Sequence, residues 1–187
     1  MKRVVEIDFQ RPLAEHAYCL LCQRETILLD SNTLILLARG SGPTWVKRLL
    51  FEWEKLGLKA VCGVCDFIRR ESVNAEKWRL EGVKVQRLLS QAAESPGGMY
   101  VEFETPIGEV EADSRDAFID VLPKVLRRKL MREDGLSGTD KCLVLVAWYL
   151  QQNGLNVSVA TEDEALARMC GEFDVKVRYV HEAGAAT

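Results

Sequence analysis

The sequence predicts an α/β protein: a three-layer α/β/α domain around a central, mainly parallel sheet of about four to five strands, with an inserted β-hairpin. Three observations predict it. Short apolar runs suited to strands buried on both faces recur at 26–30, 58–64, 157–160 and 175–180. Stretches with apolar residues at helical spacing lie between them. Gly- and Pro-rich breaks fall between these units rather than within them. Strands alternating with helices imply right-handed crossovers and helices on both faces of the sheet.

In chain order, residues 1–24 read as an N-terminal extension, with a short strand at 4–9 and a helical stretch after Pro12, which suits a helix's first turn. Thr26-Ile27-Leu28-Leu29-Asp30 is a buried strand ending in an acid. The segment 31–38 turns helical until Gly40, Gly42 and Pro43 break it. Trp45, Leu49, Leu50, Trp53 and Leu56 then follow helical spacing, as core-facing residues would. The run 58–64 is a second strand, and 66–89 is one helix or two joined ones. Ser95-Pro96-Gly97-Gly98 marks a loop. Residues 99–104 and 107–111, flanking Thr105-Pro106, predict the hairpin inside an insertion at 95–115. Helix returns over 116–131. Ser137-Gly138-Thr139-Asp140 has the spacing of a capping box, although that box favours Glu or Gln at its last position. It opens a helix to about Gln151, followed by a strand, a short helix through Cys170 and a last strand. The main domain is therefore expected over 25–182, with a tail at 183–187.

The 187 residues carry a formal net charge of −3, with 48% hydrophobic and 28% charged side chains. This is an ordinary globular composition without a global nucleic-acid signature, so contact with a polyanion must come from local patches. Residues 1–10 are charged and lack the apolar stretch of a secretory leader. No apolar run reaches the roughly 18 residues of a membrane span. The expected location is cytoplasmic, without membrane contact.

Six cysteines then make a disulfide framework unexpected. Cys19-x-x-Cys22, with His16 nearby, and Cys62-x-x-Cys65 have the spacing of zinc ligands. The first pair precedes a strand and the second follows one, so a parallel sheet separates them by about one strand length, ~17 Å. Zinc is therefore not expected, and the cysteines read as small buried hydrophobes.

The acidic residues carry more. Ligands of open parallel sheets bind beyond the carboxyl ends of the strands. Asp30 ends one strand and Asp163 follows another. Asp140 lies in the first turn of a helix entering from that edge, and Glu71 lies about two turns into the helix after the second strand. Four converging carboxylates would repel and raise one another's pKa values unless cations neutralised them. Hard ions, one or two Mg²⁺ or Mn²⁺, suit such oxygen ligands and would activate a water and stabilise the leaving oxygen of a phosphodiester. The competing readings are that Asp30 is a chance acid after a strand or a helix N-cap, that Asp140 only complements its helix dipole, that Glu71 yields to Asp66 or is merely solvent-exposed, and that Glu162 and Glu164 form a solvated face. Arg69, Arg70, Lys77, Arg79, Lys84 and Arg87 line one helical region, and Lys124, Arg127, Arg128, Lys129 and Arg132 another. The latter group is the candidate nucleic-acid contact, against the alternative of a solvated helix face.

Four motifs carry a family resemblance. Ile27-Leu28-Leu29-Asp30-Ser31-Asn32-Thr33-Leu34-Ile35 resembles the opening motif of PIN-domain nucleases. Cys65-Asp66-Phe67-Ile68-Arg69-Arg70-Glu71 is similar to the second, Leu136-Ser137-Gly138-Thr139-Asp140 to the third, and Val157-Ser158-Val159-Ala160-Thr161-Glu162-Asp163 to the fourth. The resemblance covers about 25–94 and 116–180. It implies that Asp30, Glu71, Asp140 and Asp163 hold Mg²⁺ or Mn²⁺, supported by Asn32, Ser137 and Thr161, in a ribonuclease acting on single-stranded RNA. It also implies a toxin with an antitoxin partner or an RNA-processing enzyme, and allows a homodimer. Two features depart from the family: Ala165 stands where a further Asp is common, with Glu162 and Glu164 as substitute ligands, and the 95–115 segment is long. A catalytically silent PIN-fold binding or scaffold module and a small-molecule phosphohydrolase are the alternatives. A haloacid-dehalogenase-type site is disfavoured because Asp30-Ser31-Asn32 lacks the second Asp.

Overall fold

Burial on both faces decides which segments occupy the middle of the sheet. The computed structural model describes residues 3–40, 59–74, 79–94, 100–133 and 135–179. Within them, β1 (Val4–Glu6), β2 (Glu25–Leu29), β3 (Ala60–Cys65), β4 (Tyr100–Glu104), β5 (Asn156–Ala160) and β6 (Lys176–Arg178) form one six-stranded sheet in the order β1-β4-β3-β2-β5-β6. Every pairing is parallel. All residues of β2 and β3 are buried, whereas the edge strands β1 and β6 alternate or lie half open.

The helices are α1 (Glu15–Leu21), α2 (Ser31–Gly40), α3 (Asp66–Asn74), α4 (Arg79–Glu94), α5 (Lys124–Met131), α6 (Gly138–Gln152) and α7 (Glu164–Glu172). Two 3-10 segments, Pro106–Glu109 and Ala112–Val121, precede α5. Helices α2, α3 and α4 pack on one another, while α6 packs on β5, on α7 and on the second 3-10 segment. The crossovers from β2 through β4 run one way along the sheet, and those through β5 and β6 run the other. With right-handed connections this puts the two helix groups on opposite faces, the expected three layers. The direction reverses beside β2 and β5, so the crevice at their carboxyl ends is the switch point where open α/β sheets bind ligands. The α6 helix closes through Gly154, which at φ 80° adopts a conformation open to glycine and donates its N–H to Gln151 O at 2.8 Å. Among the described residues no helix is long and apolar enough to cross a membrane.

Three expectations are corrected. The hairpin does not form. β4 pairs with β3 on one side and β1 on the other, so neither edge remains for an antiparallel partner, and 106–109 coil into a 3-10 turn instead. The turn is set by Thr105, whose side chain accepts from Gly108 N, and by Pro106, which has no N–H to give a ladder. Residues 3–24 are no mere extension, because β1 joins the sheet and Val5, Ile7, Leu13, Ala17 and Leu21 enter the core. The stretch 116–131 is divided at Pro123 between the second 3-10 segment and α5. The helical pattern at 45–56, the loop at 95–98, Lys77 and the tail at 183–187 lie outside the described residues.

Asp66 locks the chain where β4 leaves the sheet. Its Oδ2 accepts from Thr105 N at 3.1 Å and its Oδ1 from Thr105 Oγ1 at 2.9 Å. A Cβ built on Gly108 would lie 1.8 Å from Asp66 Oδ2, and that carboxylate is held on both oxygens. Gly108→Ala should therefore destabilise the fold by about 1–3 kcal/mol, as overpacking does, read as a lower urea midpoint at unchanged m-value.

Candidate functional site

Asp30 follows the last residue of β2 and is 1% exposed. Its Oδ1 accepts from Thr33 N at 2.5 Å, an N-cap to α2, and its Oδ2 accepts from Thr161 Oγ1 at 2.6 Å. Thr161 Oγ1 in turn accepts from Asp163 N at 3.0 Å, so one buried hydroxyl joins the ends of β2 and β5. Thr33 Oγ1 ties the same corner by donating to Ala160 O at 3.0 Å. Burial raises the Asp30 pKa most strongly. The Thr161 and Thr33 hydrogen bonds oppose this, and the negative charge of Asp140 adds to it.

Asp140 sits at the third position of α6 and completes the capping box with Ser137, whose Oγ accepts from Asp140 N at 3.1 Å and donates to Asp140 Oδ2 at 2.7 Å. An Asp therefore does here what Glu or Gln more commonly does. Burial raises its pKa first, Ser137 counteracts, and the charges of Glu71 and Asp163 raise it further. Glu71 accepts from Ser31 Oγ at 2.5 Å, which brings α3 to the start of α2. Asp163 caps α7, its Oδ1 accepting from Leu166 N at 2.9 Å. Thus all four sequence-selected acids gather at the carboxyl edge, coupled through Asp140 and linked by Ser31 and Thr161.

The flanking residues divide. Asn32 is exposed in the first turn of α2, and Glu162 and Glu164 are exposed beside Asp163. In α5, Arg127 pairs with Asp120 and Lys129 with Glu172, each at 2.8 Å. Lys124, Arg128 and Arg132 are exposed and have no acidic partner among the described residues. Of the other basic group, Arg69 pairs with buried Glu102 at 3.1 Å, whereas Arg70, Lys84 and Arg87 are exposed. The Arg79 side chain lies outside what is described.

The residues suit a hard divalent ion in donor type. From the described residues, hydrogen bonds reach Glu71 only at Oε2, Asp140 only at Oδ2 and Asp163 only at Oδ1, leaving one carboxylate oxygen of each for another ligand. An all-carboxylate set favours Mg²⁺ or Mn²⁺ over a thiolate-seeking metal. As placed, however, no three His, Cys, Asp or Glu side chains among the described residues could hold one ion together. Each acid leans toward a protein donor, so coordination requires rotation of the rim carboxylates.

Cys62 and Cys65 are buried within β3, while Cys19 and Cys22 are exposed at the end of α1. Burial pushes the thiols of Cys62, Cys142 and Cys170 up to about 12 and that of Cys65 well above its usual value. Thiolate is the reactive form, so a disulfide reagent should label only Cys19 and Cys22 in the native chain and all six after unfolding. Rapid labelling of more than two would contradict the burial of the four thiols in β3, α6 and α7.

Sequence reasoning missed the supporting hydroxyls Ser31 and Thr33, although both lie in the Asp30 motif. It also missed Arg115, which is 3% exposed. A signal existed: Arg115, Phe118, Ile119 and Leu122 recur at intervals of three to four on one stripe of the second 3-10 segment. No protein-family model matches the chain, and no curated protein matches it either.

Proposed function

We propose that the chain is a metal-dependent ribonuclease that hydrolyses phosphodiester bonds at the Asp30–Glu71–Asp140–Asp163 edge. The observation that carries this reading is that these acids share one switch point: the Thr161 hydroxyl joins the Asp30 carboxylate to the Asp163 backbone, Ser31 beside Asp30 holds Glu71, and burial, with neighbouring negative charge added to it, raises the pKa values of Asp30 and Asp140. Acids so arranged at a switch point destabilise one another, and a divalent cation relieves that cost. When bound, Mg²⁺ or Mn²⁺ supplies an activated water and stabilisation of the leaving oxygen. The chain's own part is to hold the carboxylates. Thr33 and Thr161 fix Asp30, Ser137 fixes Asp140 and Ser31 fixes Glu71, as outer-shell donors orient ligands elsewhere. Lys124, Arg128 and Arg132 offer exposed cations for a phosphate backbone. RNA as the substrate, single-stranded in form, comes from the resemblance to PIN domains, as do a toxin or RNA-processing role, an antitoxin partner and a homodimer.

One observation favours a second reading, a silent PIN-fold binding or scaffold module: Asp30, Asp140 and Asp163 all serve as helix-start acceptors, a role that needs no ion. Labelled single-stranded RNA incubated with Mn²⁺ and the parent, Asp30→Asn or Asp140→Asn separates the two. Cleavage by the parent and loss in both variants is expected. Cleavage that survives both substitutions rejects the metal site. RNA binding without cleavage supports the second reading, and hydrolysis of a small phosphoester alone supports a phosphohydrolase.

A further inference from the structure

The buried guanidinium of Arg115 has no carboxylate within ion-pairing distance among the described residues. Among the described residues its one hydrogen bond runs from Nη1 to Thr139 Oγ1 at 2.6 Å, and its buried Nε has no partner there. The guanidinium carbon stands 5.8 Å from the ring centroid of Phe67, which is itself fully buried. A lone buried cation is unfavourable, and one bond to a neutral hydroxyl with one aromatic face offsets little of that cost. Both groups it touches, however, belong to the acidic edge. Thr139 immediately precedes Asp140 in the first turn of α6, and Phe67 lies four residues before Glu71 on the same side of α3. The main chain of Arg115 reaches α6 again one turn on, its carbonyl accepting from Cys142 Sγ at 3.5 Å.

We propose that Arg115 is a positioning residue for the acidic site, clamping the first turn of α6 against α3 and so fixing Asp140 relative to Glu71; this rests on the metal-site reading above. It gives the segment after β4 a role: the segment delivers a cation to the junction of two helices that approach the sheet edge from opposite faces. Thr139 sets the direction of the guanidinium, and the ring of Phe67 lies against it. Arg115 acts through Thr139 and Phe67 and does not itself hold the ion.

The test measures Mn²⁺ affinity and thermal unfolding for the parent, Arg115→Met, Arg115→Lys, Thr139→Val, the Arg115→Met/Thr139→Val double variant and Asp140→Asn. Arg115→Met and Thr139→Val are each expected to weaken Mn²⁺ binding about tenfold or more, the range of outer-shell changes. The double variant should bind no more weakly than the poorer single one, because both remove the same link. Arg115→Lys, which keeps the charge but not the planar fork, should recover part of the affinity. Thr139→Val removes only the acceptor, so it reports the link even where Arg115→Met unfolds. Parent-like affinity in Thr139→Val, or fully additive losses in the double variant, overturns the positioning role while parent binding and its loss in Asp140→Asn uphold the metal site. A parent that binds no Mn²⁺ rejects the metal site and the positioning role together.

Discussion

Asp30→Asn is expected to lower Mn²⁺-dependent RNA cleavage by at least about a hundredfold, since outer-shell changes alone cost 10–100-fold and Asp30 would be a ligand itself. The substitution separates the two roles the residue can have. Asn is as good a helix N-cap as Asp, so Oδ1 can still accept from Thr33 N, and the Thr161 hydroxyl can turn to accept from the new amide. What disappears is the charge. In the ion-free protein this should raise stability, because a buried, mutually repelling carboxylate is gone. For a carboxyl whose folded pKa is raised, the native state holds the proton more tightly. Stability is then lost as pH rises from the unfolded value through the folded one. Asp30 and Asp140 are both raised. Their contribution therefore favours mildly acidic over neutral pH without metal, and Asp30→Asn should flatten that slope. Thermal unfolding with EDTA reads this out, at roughly 2–4 °C for each kcal/mol relieved. Divalent ions should stabilise the parent at neutral pH and leave the variant unmoved.

Arg178→Met is the second large effect, and it acts on stability rather than chemistry. Arg178, ending β6, grips Glu25 at the start of β2 with Nε–Oε1 3.0 Å and Nη2–Oε2 2.9 Å. The side-chain exposures are 25% and 4%. Burial by itself raises the Glu25 pKa most strongly, but the Arg178 bonds and charge, with help from Lys176, bring it below its usual value. Removing the guanidinium leaves a buried carboxylate uncompensated, a loss of about 3–5 kcal/mol at neutral pH. The sign with pH follows. In the parent, this contribution is present above the unfolded pKa of Glu25 and lost as pH falls through the lower folded one. In the variant, Glu25 takes up a proton readily, so the gap between the two proteins should narrow in acid. Glu25→Gln combined with Arg178→Met should restore much of the stability. A loss under about 1 kcal/mol in urea unfolding would class the bridge with exposed pairs.

What the sequence discloses follows from how local each signal is. The β2 run and its terminal Asp30 are legible because burial on both faces leaves an unbroken apolar stretch. The Ser137–Asp140 box is legible because its two partners are three residues apart. The fate of 100–111 is not local. Residues 100–104 have a strand pattern, but their partners are Val4–Glu6 and Cys62–Cys65, and only occupation of both edges excludes the hairpin. β1, with three residues at a sheet edge, has too weak a pattern to separate from an extension. Glu71 meets Ser31 through the packing of α2 on α3, which no spacing reveals. Arg115 stands among acids in the sequence, and only the stripe it shares with Phe118, Ile119 and Leu122 places it inside.

On the proposed reading the four acids close on one hard cation, although each is now turned to a protein donor. Crystals equilibrated with Mn²⁺ and measured for anomalous scattering test it most directly. A peak is expected at the carboxyl ends of β2 and β5. Oxygens of Asp30, Asp140 and at least one of Glu71 and Asp163 should lie at about 2.1 Å from it, as hard-ion octahedral sites require. A map with no peak there, the carboxylates still on Thr33, Ser137, Ser31 and Leu166, would contradict this reading and leave Asp30, Asp140 and Asp163 as helix caps and Glu71 as a tie between α2 and α3.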